Sequence, residues 1–149
     1  MDDESCLIDT NILIRWVSRG SPSFEMARSA VKQLVGSGVS PCYTSQNLGE
    51  FWNVPTRPQD RNGYGLAPGA ADVRAGDVEA AFRLLPDGPA VHQEWPRLLI
   101  DYRVFDVQVH DARLVASMHV HGVRRILTFN TKDFARCEDI EAIHPAQLI

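Results

Sequence analysis

The stretch that most constrains this chain lies near its start, Cys6-Leu7-Ile8-Asp9-Thr10-Asn11-Ile12-Leu13-Ile14. A short apolar run stops at an acid, two polar residues follow, and apolar residues resume. This reads as a buried strand running into a helix that opens on polar residues. In an open parallel sheet, ligands sit at the carboxyl ends of the strands, where Asp9 then stands. Asp9 or Thr10 is equally suited to an ordinary helix cap, so the stretch alone leaves both roles open.

The remaining pattern extends the same architecture. A helix is predicted over 12–17, broken at Gly20-Ser21-Pro22, and a second over 23–35, where Phe24, Ala27, Val31, Leu34 and Val35 recur at helical spacing. Gly36-Ser37-Gly38 ends it, and 39–44 is short and β-prone. The next helix starts near Ser45, with Leu48, Phe51 and Trp52 facing inward and Glu50 at the edge of that stripe. Residues 55–68 form a long Pro- and Gly-rich loop holding Arg57, Arg61 and Tyr64. Helical patterns over 70–85 and 91–102, separated by Pro86-Asp87-Gly88-Pro89, read as a helical hairpin inserted between sheet elements. A helix from His110 to near His121-Gly122 follows, then a strand over 125–129, the turn Asn130-Thr131-Lys132-Asp133-Phe134 and a last strand over 140–143. Alternation of strand and helix implies an α/β protein on a parallel sheet.

A chain of 149 residues with 44% apolar content is expected to form one domain, 1–149, with a sizeable core. No apolar run approaches the ~20 residues that span a bilayer, and the start, Met1-Asp2-Asp3-Glu4, is acidic where a secretory signal is basic. The expectation is a soluble, cytoplasmic protein without a membrane partner. Cys6, Cys42 and Cys137 lack metal-type spacing and read as small buried hydrophobes. A net charge of −4 argues against bulk electrostatic binding of nucleic acid, yet leaves a nuclease open, because bound cations cancel carboxylate charge.

Four acids hold comparable places. Asp9 ends the first strand, Glu50 lies in the helix after the second, Asp111 opens a helix, and Asp133 follows the strand at Ile126. In a doubly wound sheet all four can converge on the carboxyl edge. Clustered carboxylates repel unless protons or a cation relieve them, and hard oxygen ligands suit Mg²⁺ or Mn²⁺. Such ions activate water and stabilise the leaving oxygen in phosphodiester cleavage. The bland alternatives are a solvated helix position for Glu50, a first-turn acid for Asp111 and a turn cap for Asp133.

These acids sit in blocks that resemble PIN-domain proteins, specifically the VapC-type toxins of bacterial toxin–antitoxin pairs. The matching residues are Leu7-Ile8-Asp9-Thr10-Asn11, Gln46-Asn47-Leu48-Gly49-Glu50-Phe51, His110-Asp111-Ala112-Arg113-Leu114-Val115-Ala116 and Leu127-Thr128-Phe129-Asn130-Thr131-Lys132-Asp133-Phe134, in family order along nearly the whole chain. The segments Asn53-Val54-Pro55-Thr56-Arg57-Pro58 and Asn62-Gly63-Tyr64-Gly65-Leu66 resemble one branch of those toxins. The resemblance implies a PIN-like α/β/α sandwich and a Mg²⁺-dependent endoribonuclease, with Mn²⁺ able to substitute. It also implies a homodimer and a cognate antitoxin that covers the active site.

Carried over by residue, Asp9 and Asp111 match the acids that bind metal directly, and Glu50 matches a metal ligand or an orienter of the attacking water. At the fourth position many relatives carry Asp immediately after the strand, where this chain has Asn130. Asp133, one turn on, is taken as the fourth acid, with Asn130 as a neutral partner. Thr10 or Asn11 then positions a carboxylate or water. Phe105-Asp106-Val107 also departs from the family, which has a glycine near Asp106. Arg57, Arg61 and Tyr64 could hold phosphate and stack a base of single-stranded RNA, or be surface arginines with a packed tyrosine. His110 is a proton donor or structural, His92, His119, His121 and His144 lack ligand spacing, and Trp16, Trp52 and Trp95 read as core or dimer-interface residues. The competing functions are a PIN-like RNA- or protein-binding module without activity, and a DNA-directed nuclease.

Overall fold

The computed structural model describes residues 4–61, 65, 67–103 and 108–149, without the side chains of 55, 56 and 61. Its spine is β1 (Ser5–Ile8), whose four residues are all buried. Because successive side chains alternate, Cys6 and Ile8 enter one core while Leu7 enters another on the opposite face. That double burial is why the strand is continuously apolar rather than alternating. β2 (Ser40–Thr44) and β4 (Arg125–Leu127) flank it, and β3 (Arg83–Leu85) and β5 (Glu141–Ile143) form the edges. All pairings are parallel, in the order β3-β2-β1-β4-β5. Leu7 lies opposite Cys42 in β2 and Ile126 in β4, so the second core begins as one row across three strands.

The first core is covered by α1 (Thr10–Val17), α2 (Phe24–Gly36), α3 (Ser45–Thr56) and α4 (Pro68–Ala81). The second is covered by α5 (Pro89–Asp101) and α6 (Gln108–His121). The result is an α/β/α sandwich, as expected. The helix starts follow local chemistry: Asp9 caps α1, Thr44 and Asn47 form a reciprocal capping box on α3, and prolines open α4 and α5. All three cysteines are free and buried, and burial pushes the Cys6 thiol up to about 12.

The expected inserted helical hairpin is corrected by the sheet. The helix predicted to reach residue 85 stops at Ala81, and Arg83–Leu85 pairs with Cys42–Thr44 as an edge strand between the two middle helices. α4 packs on α1 and α3, whereas α5 packs on α6 across the sheet. Phe82-Arg83-Leu84-Leu85 is too short for apolar spacing to separate strand from helix. Tertiary contacts decide: Phe82 packs on Trp16 with ring centroids 4.9 Å apart, and Leu85 enters the second core. Tyr64, the Arg61 side chain and Phe105-Asp106-Val107 lie outside the described residues.

Candidate active site

The chain leaves β1 for β2 and β3 on one side, then returns to β4 on the other. The crevice of such a sheet opens between the carboxyl ends of the two strands where the order reverses, here β1 and β4. Asp9 stands there, buried at 8% exposure. Its Oδ1 accepts from the Thr10 backbone N–H at 2.8 Å, and its Oδ2 accepts from the Thr128 hydroxyl at 2.8 Å. Thr128 directly follows β4 and is fully buried. Its oxygen also accepts from Asn11 Nδ2 at 3.2 Å and the Asn130 N–H at 3.0 Å. One hydroxyl donates once and accepts twice, so this group is saturated and its proton is committed to Asp9. Asn11 completes the join by accepting from the Phe129 N–H at 3.2 Å.

Glu50 reaches the same crevice from α3. Its Oε1 accepts from the Thr10 hydroxyl at 2.7 Å, and Thr10 Oγ1 accepts from Asn47 Nδ2 at 3.1 Å. Asn47 is buried and held by Thr44, whose backbone N–H and hydroxyl both donate to Asn47 Oδ1 at 2.9 Å. On the other side, Gln46 Nε2 donates to Glu50 Oε2 at 3.2 Å and to the His110 carbonyl at 2.8 Å. Arg113 Nη1 donates to Gln46 Oε1 at 3.3 Å, which fixes the direction of that amide, while Nη2 pairs with Asp87 at 3.3 Å. Gln46 therefore ties Glu50 on α3 to the residue preceding Asp111 on α6.

Asp111 and Asp133 complete the group. Asp133 is half-buried in a 3-10 turn at Thr131–Phe134, with its N–H donating to the Asn130 carbonyl at 3.1 Å, and it lines one small cavity together with Asp111. Asn130 is exposed, and its side chain does not cap the turn. Burial raises the Asp9 carboxyl to about 6, against the hydrogen bonds from Thr128 and Thr10, and the charges of Glu50 and Asp133 push the same way as burial. Asp111 is raised to about 7 by burial and then by the charges of Asp9, Asp133 and Glu50, with no hydrogen bond offsetting them. The four acids from four parts of the chain therefore share one electrostatic field.

Among the described residues, no three His, Cys, Asp or Glu side chains converge closely enough to hold a metal ion unaided. Mg²⁺ does not need such a cage, since it is commonly held by one or two carboxylates with water in its other positions. The hard oxygen donors and their mutual repulsion fit such a cation. Of the remaining described candidates, Arg57 lies apart from these hydrogen bonds and His110 joins them only through its backbone. Arg57 is half-buried at the end of α3, where its N–H donates to Val54 O and its carbonyl accepts from the Gly65 N–H at 2.8 Å. His110 is exposed and contributes its carbonyl. His119 lies between Glu94 and Asp139, 2.7 and 2.8 Å away.

Sequence reasoning passed over Thr128, Asn47, Gln46 and Arg113, although each lies within a motif block. Two signals were available. Thr128 follows β4 as Asp9 follows β1, and Gln46 precedes Glu50 by four residues, one helical turn.

The comparisons agree with this architecture. The PIN domain family model matches residues 6–139. A chain of a DNA-bound VapBC structure from Salmonella typhimurium has a TM-score of 0.70 at 13% identity, covering 97% of this chain and 99% of that one. VapC20 from Mycobacterium tuberculosis, described as a sarcin-ricin loop cleaving toxin, has a TM-score of 0.65 at 19% identity, covering 89% and 95%. A chain of a toxin-antitoxin complex from Klebsiella pneumoniae has a TM-score of 0.63 at 20% identity, covering 94% and 97%. A comparison with curated protein sequences gives no match. At these identities the structures speak for the fold, and the family model spans most of the chain. This chain belongs to the PIN-domain family.

Proposed function

We propose that this protein is a divalent-metal-dependent endoribonuclease, the VapC-like toxin of a toxin–antitoxin pair. The observation that carries the reading is the placement of Asp9 and Glu50 at the β1–β4 crevice, joined through Thr10, with Asp111 and Asp133 lining one cavity near enough for their charges to reach it. Carboxylates gathered at one sheet edge oppose each other's ionisation, and a cation acting on a phosphodiester is the chemistry that repays such an arrangement. The family match, and the description of VapC20 as a sarcin-ricin loop cleaving toxin, support RNA as the substrate. Neighbours solved as toxin–antitoxin complexes support a cognate antitoxin, and the resemblance to VapC toxins supports a homodimer in the cytoplasm.

In this reading Asp9 and Asp111 would hold the cation, with Asp133 supporting them. A divalent cation there would supply electrophilic relief of the charge that builds on the phosphodiester and would activate water. Glu50 is fixed at both oxygens, by Thr10 and by Gln46, so its remaining lone pairs can orient the attacking water and take its proton. Thr128 and Asn11 keep Asp9 in a single rotamer at the strand end. Asn130, neutral where many relatives carry an acid, leaves Asp133 to supply the fourth charge.

The deciding experiment is cleavage of a structured RNA panel with Mg²⁺, Mn²⁺ or EDTA, beside Asp9→Ala and Asp111→Ala proteins. The expected result is metal-dependent cutting lost in both variants. A folded wild-type protein that neither cuts RNA nor binds Mn²⁺ would move the reading to a binding module without activity. Cutting of DNA in preference to RNA would reassign the substrate.

A further inference from the structure

A second concave site lies at the far end of α1. It is an open cavity of about 870 Å³ between the end of α1, the start of α2, the end of α3 and the middle of α4. Arg15, Arg19, Arg28 and Arg74 all line it, in a protein whose net charge is −4. Arg28 Nε donates to Trp16 O at 2.7 Å, and its guanidinium lies 3.8 Å from the Trp16 ring centroid. Arg74 Nη1 donates to Val17 O at 2.8 Å. Both contacts fix a guanidinium against the last carbonyls of α1, a position that favours cations.

Helix capping accounts for one donor on each of these two arginines and leaves the others unused, since a guanidinium carries five. Arg15 and Arg19 take no part in it. Among the described residues, the ion pairs engage other arginines, Arg97, Arg113 and Arg125, and none of these four. The acids nearby are Asp77, which lines the cavity, and Glu25, and both favour the Arg28 charge. They are outnumbered: burial first, then the neighbouring Arg19, make that charge less favourable than it is in water. Two fixed guanidiniums with two more beside them, none in an ion pair among the described residues, make a site suited to an anion, and phosphate matches the planar fork of arginine.

We propose that this cavity binds a backbone phosphate of the RNA strand whose scissile bond lies at the carboxylates. The proposal rests on the ribonuclease reading above. α1 links the two sites: Thr10 at its start holds Glu50, and Arg15 and Arg19 lie at and just past its end. Eight helical residues span about 12 Å, within reach of one strand. α3 runs beside it, with Glu50 against Thr10 and Val54 at the cavity wall one turn on. The arrangement also answers a physical difficulty, because the acid cluster repels the polyanion it is to cut. A cationic anchor placed off the reaction centre holds the strand there while the acids remain free to act.

The test is binding without catalysis. A fluorescein-labelled single-stranded oligoribonucleotide is titrated in EDTA, by anisotropy, into wild-type protein, Asp9→Ala, and the double variant Arg15→Ala/Arg19→Ala. Both substituted arginines lie outside the core, and a thermal melt confirms folding. The double variant is expected to bind about tenfold more weakly at low salt. Its log–log salt slope should fall by about 0.7 for each phosphate that the protein no longer neutralises. Unchanged affinity and slope in the double variant overturn the proposal. So does a poly-glutamate peptide that binds through these arginines without displacing RNA, which would assign the cavity to an acidic protein segment. No uptake of oligoribonucleotide by the wild-type protein overturns it too. The ribonuclease reading is judged separately, by metal-dependent cutting of structured RNA that is lost in Asp9→Ala.

Discussion

Thr128 shows how much of this crevice depends on groups that carry no charge. Its hydroxyl accepts from Asn11 Nδ2 and donates to Asp9 Oδ2, and the Asn130 N–H also donates to it. Valine has nearly the same shape, so Thr128→Val removes the hydrogen bonds with little change in volume. One buried carboxylate oxygen then loses its donor and two partly buried donors lose their acceptor, at a cost of about 1–3 kcal/mol. Thr128→Ser keeps the hydroxyl and should lose less. Urea denaturation of the three proteins at pH 7 measures the difference, and equal stability of the valine variant would show that water replaces the network. The direction for Asp9 is also set: without this bond, which lowers its pKa, the carboxyl titrates above its present value of about 6.

Among the elements, the informative join is between α3 and α6, on opposite faces of the sheet. They meet at the carboxyl edge through Gln46, whose amide bridges Glu50 and the His110 carbonyl and is oriented by Arg113. Gln46→Leu keeps the helix propensity of this half-buried position, so a stability loss of about 1 kcal/mol is expected. Release of Glu50 relative to Asp111 should cost more in turnover, about tenfold or greater in kcat with KM little changed, because misplacement of catalytic groups by an ångström is expensive. Steady-state cleavage kinetics check this, and a kcat within twofold of wild type would refute the bridging role. Gln46 also shows where sequence legibility ended. Asp9, Asp111 and Asp133 were legible in the chain because each lies near the end of an element with a clear apolar pattern, and Glu50 because it borders the apolar stripe of α3. Gln46, Asn47, Thr128 and Arg113 could not, since their partners lie far along the chain, and polar residues have no periodicity to reveal a tertiary contact. The edge strand Arg83–Leu85 was hidden for a related reason: three residues after a helix carry too little pattern, and only Cys42–Thr44 beside them makes a strand.

At the scale of the whole molecule, the raised acids shape stability against pH. Asp9 and Asp111 titrate at about 6 and about 7 in the folded protein, above the carboxylate value of 3.8. Between pH ~4 and ~7 the folded chain therefore holds protons that the unfolded chain has released, and stability falls as pH rises. Glu94 acts in the opposite sense. Arg97 and His119 hold it down at about 2, so its contribution is present above the ordinary glutamate value and is lost as pH falls towards 2. Together they place the metal-free optimum on the acidic side of the usual pH 5–8 window. Asp111 is partly exposed, so solvent screening reduces its share, and Asp111→Asn should stabilise the metal-free protein by about 1 kcal/mol at pH 8 with no gain at pH 4. Mg²⁺ should act like that substitution but reversibly, since a cation that binds only the folded chain adds about 2.7 kcal/mol at a hundred times its Kd. The gain should grow from pH 5 to pH 8 as the acids lose their protons, and vanish in Asp9→Asn/Asp111→Asn. Thermal melts across this range, with EDTA and with Mg²⁺, provide the measurement. A melting temperature that rises with pH in EDTA would show that these carboxylates do not repel one another, and a Mg²⁺ gain that survives loss of both acids would show that they do not hold the ion.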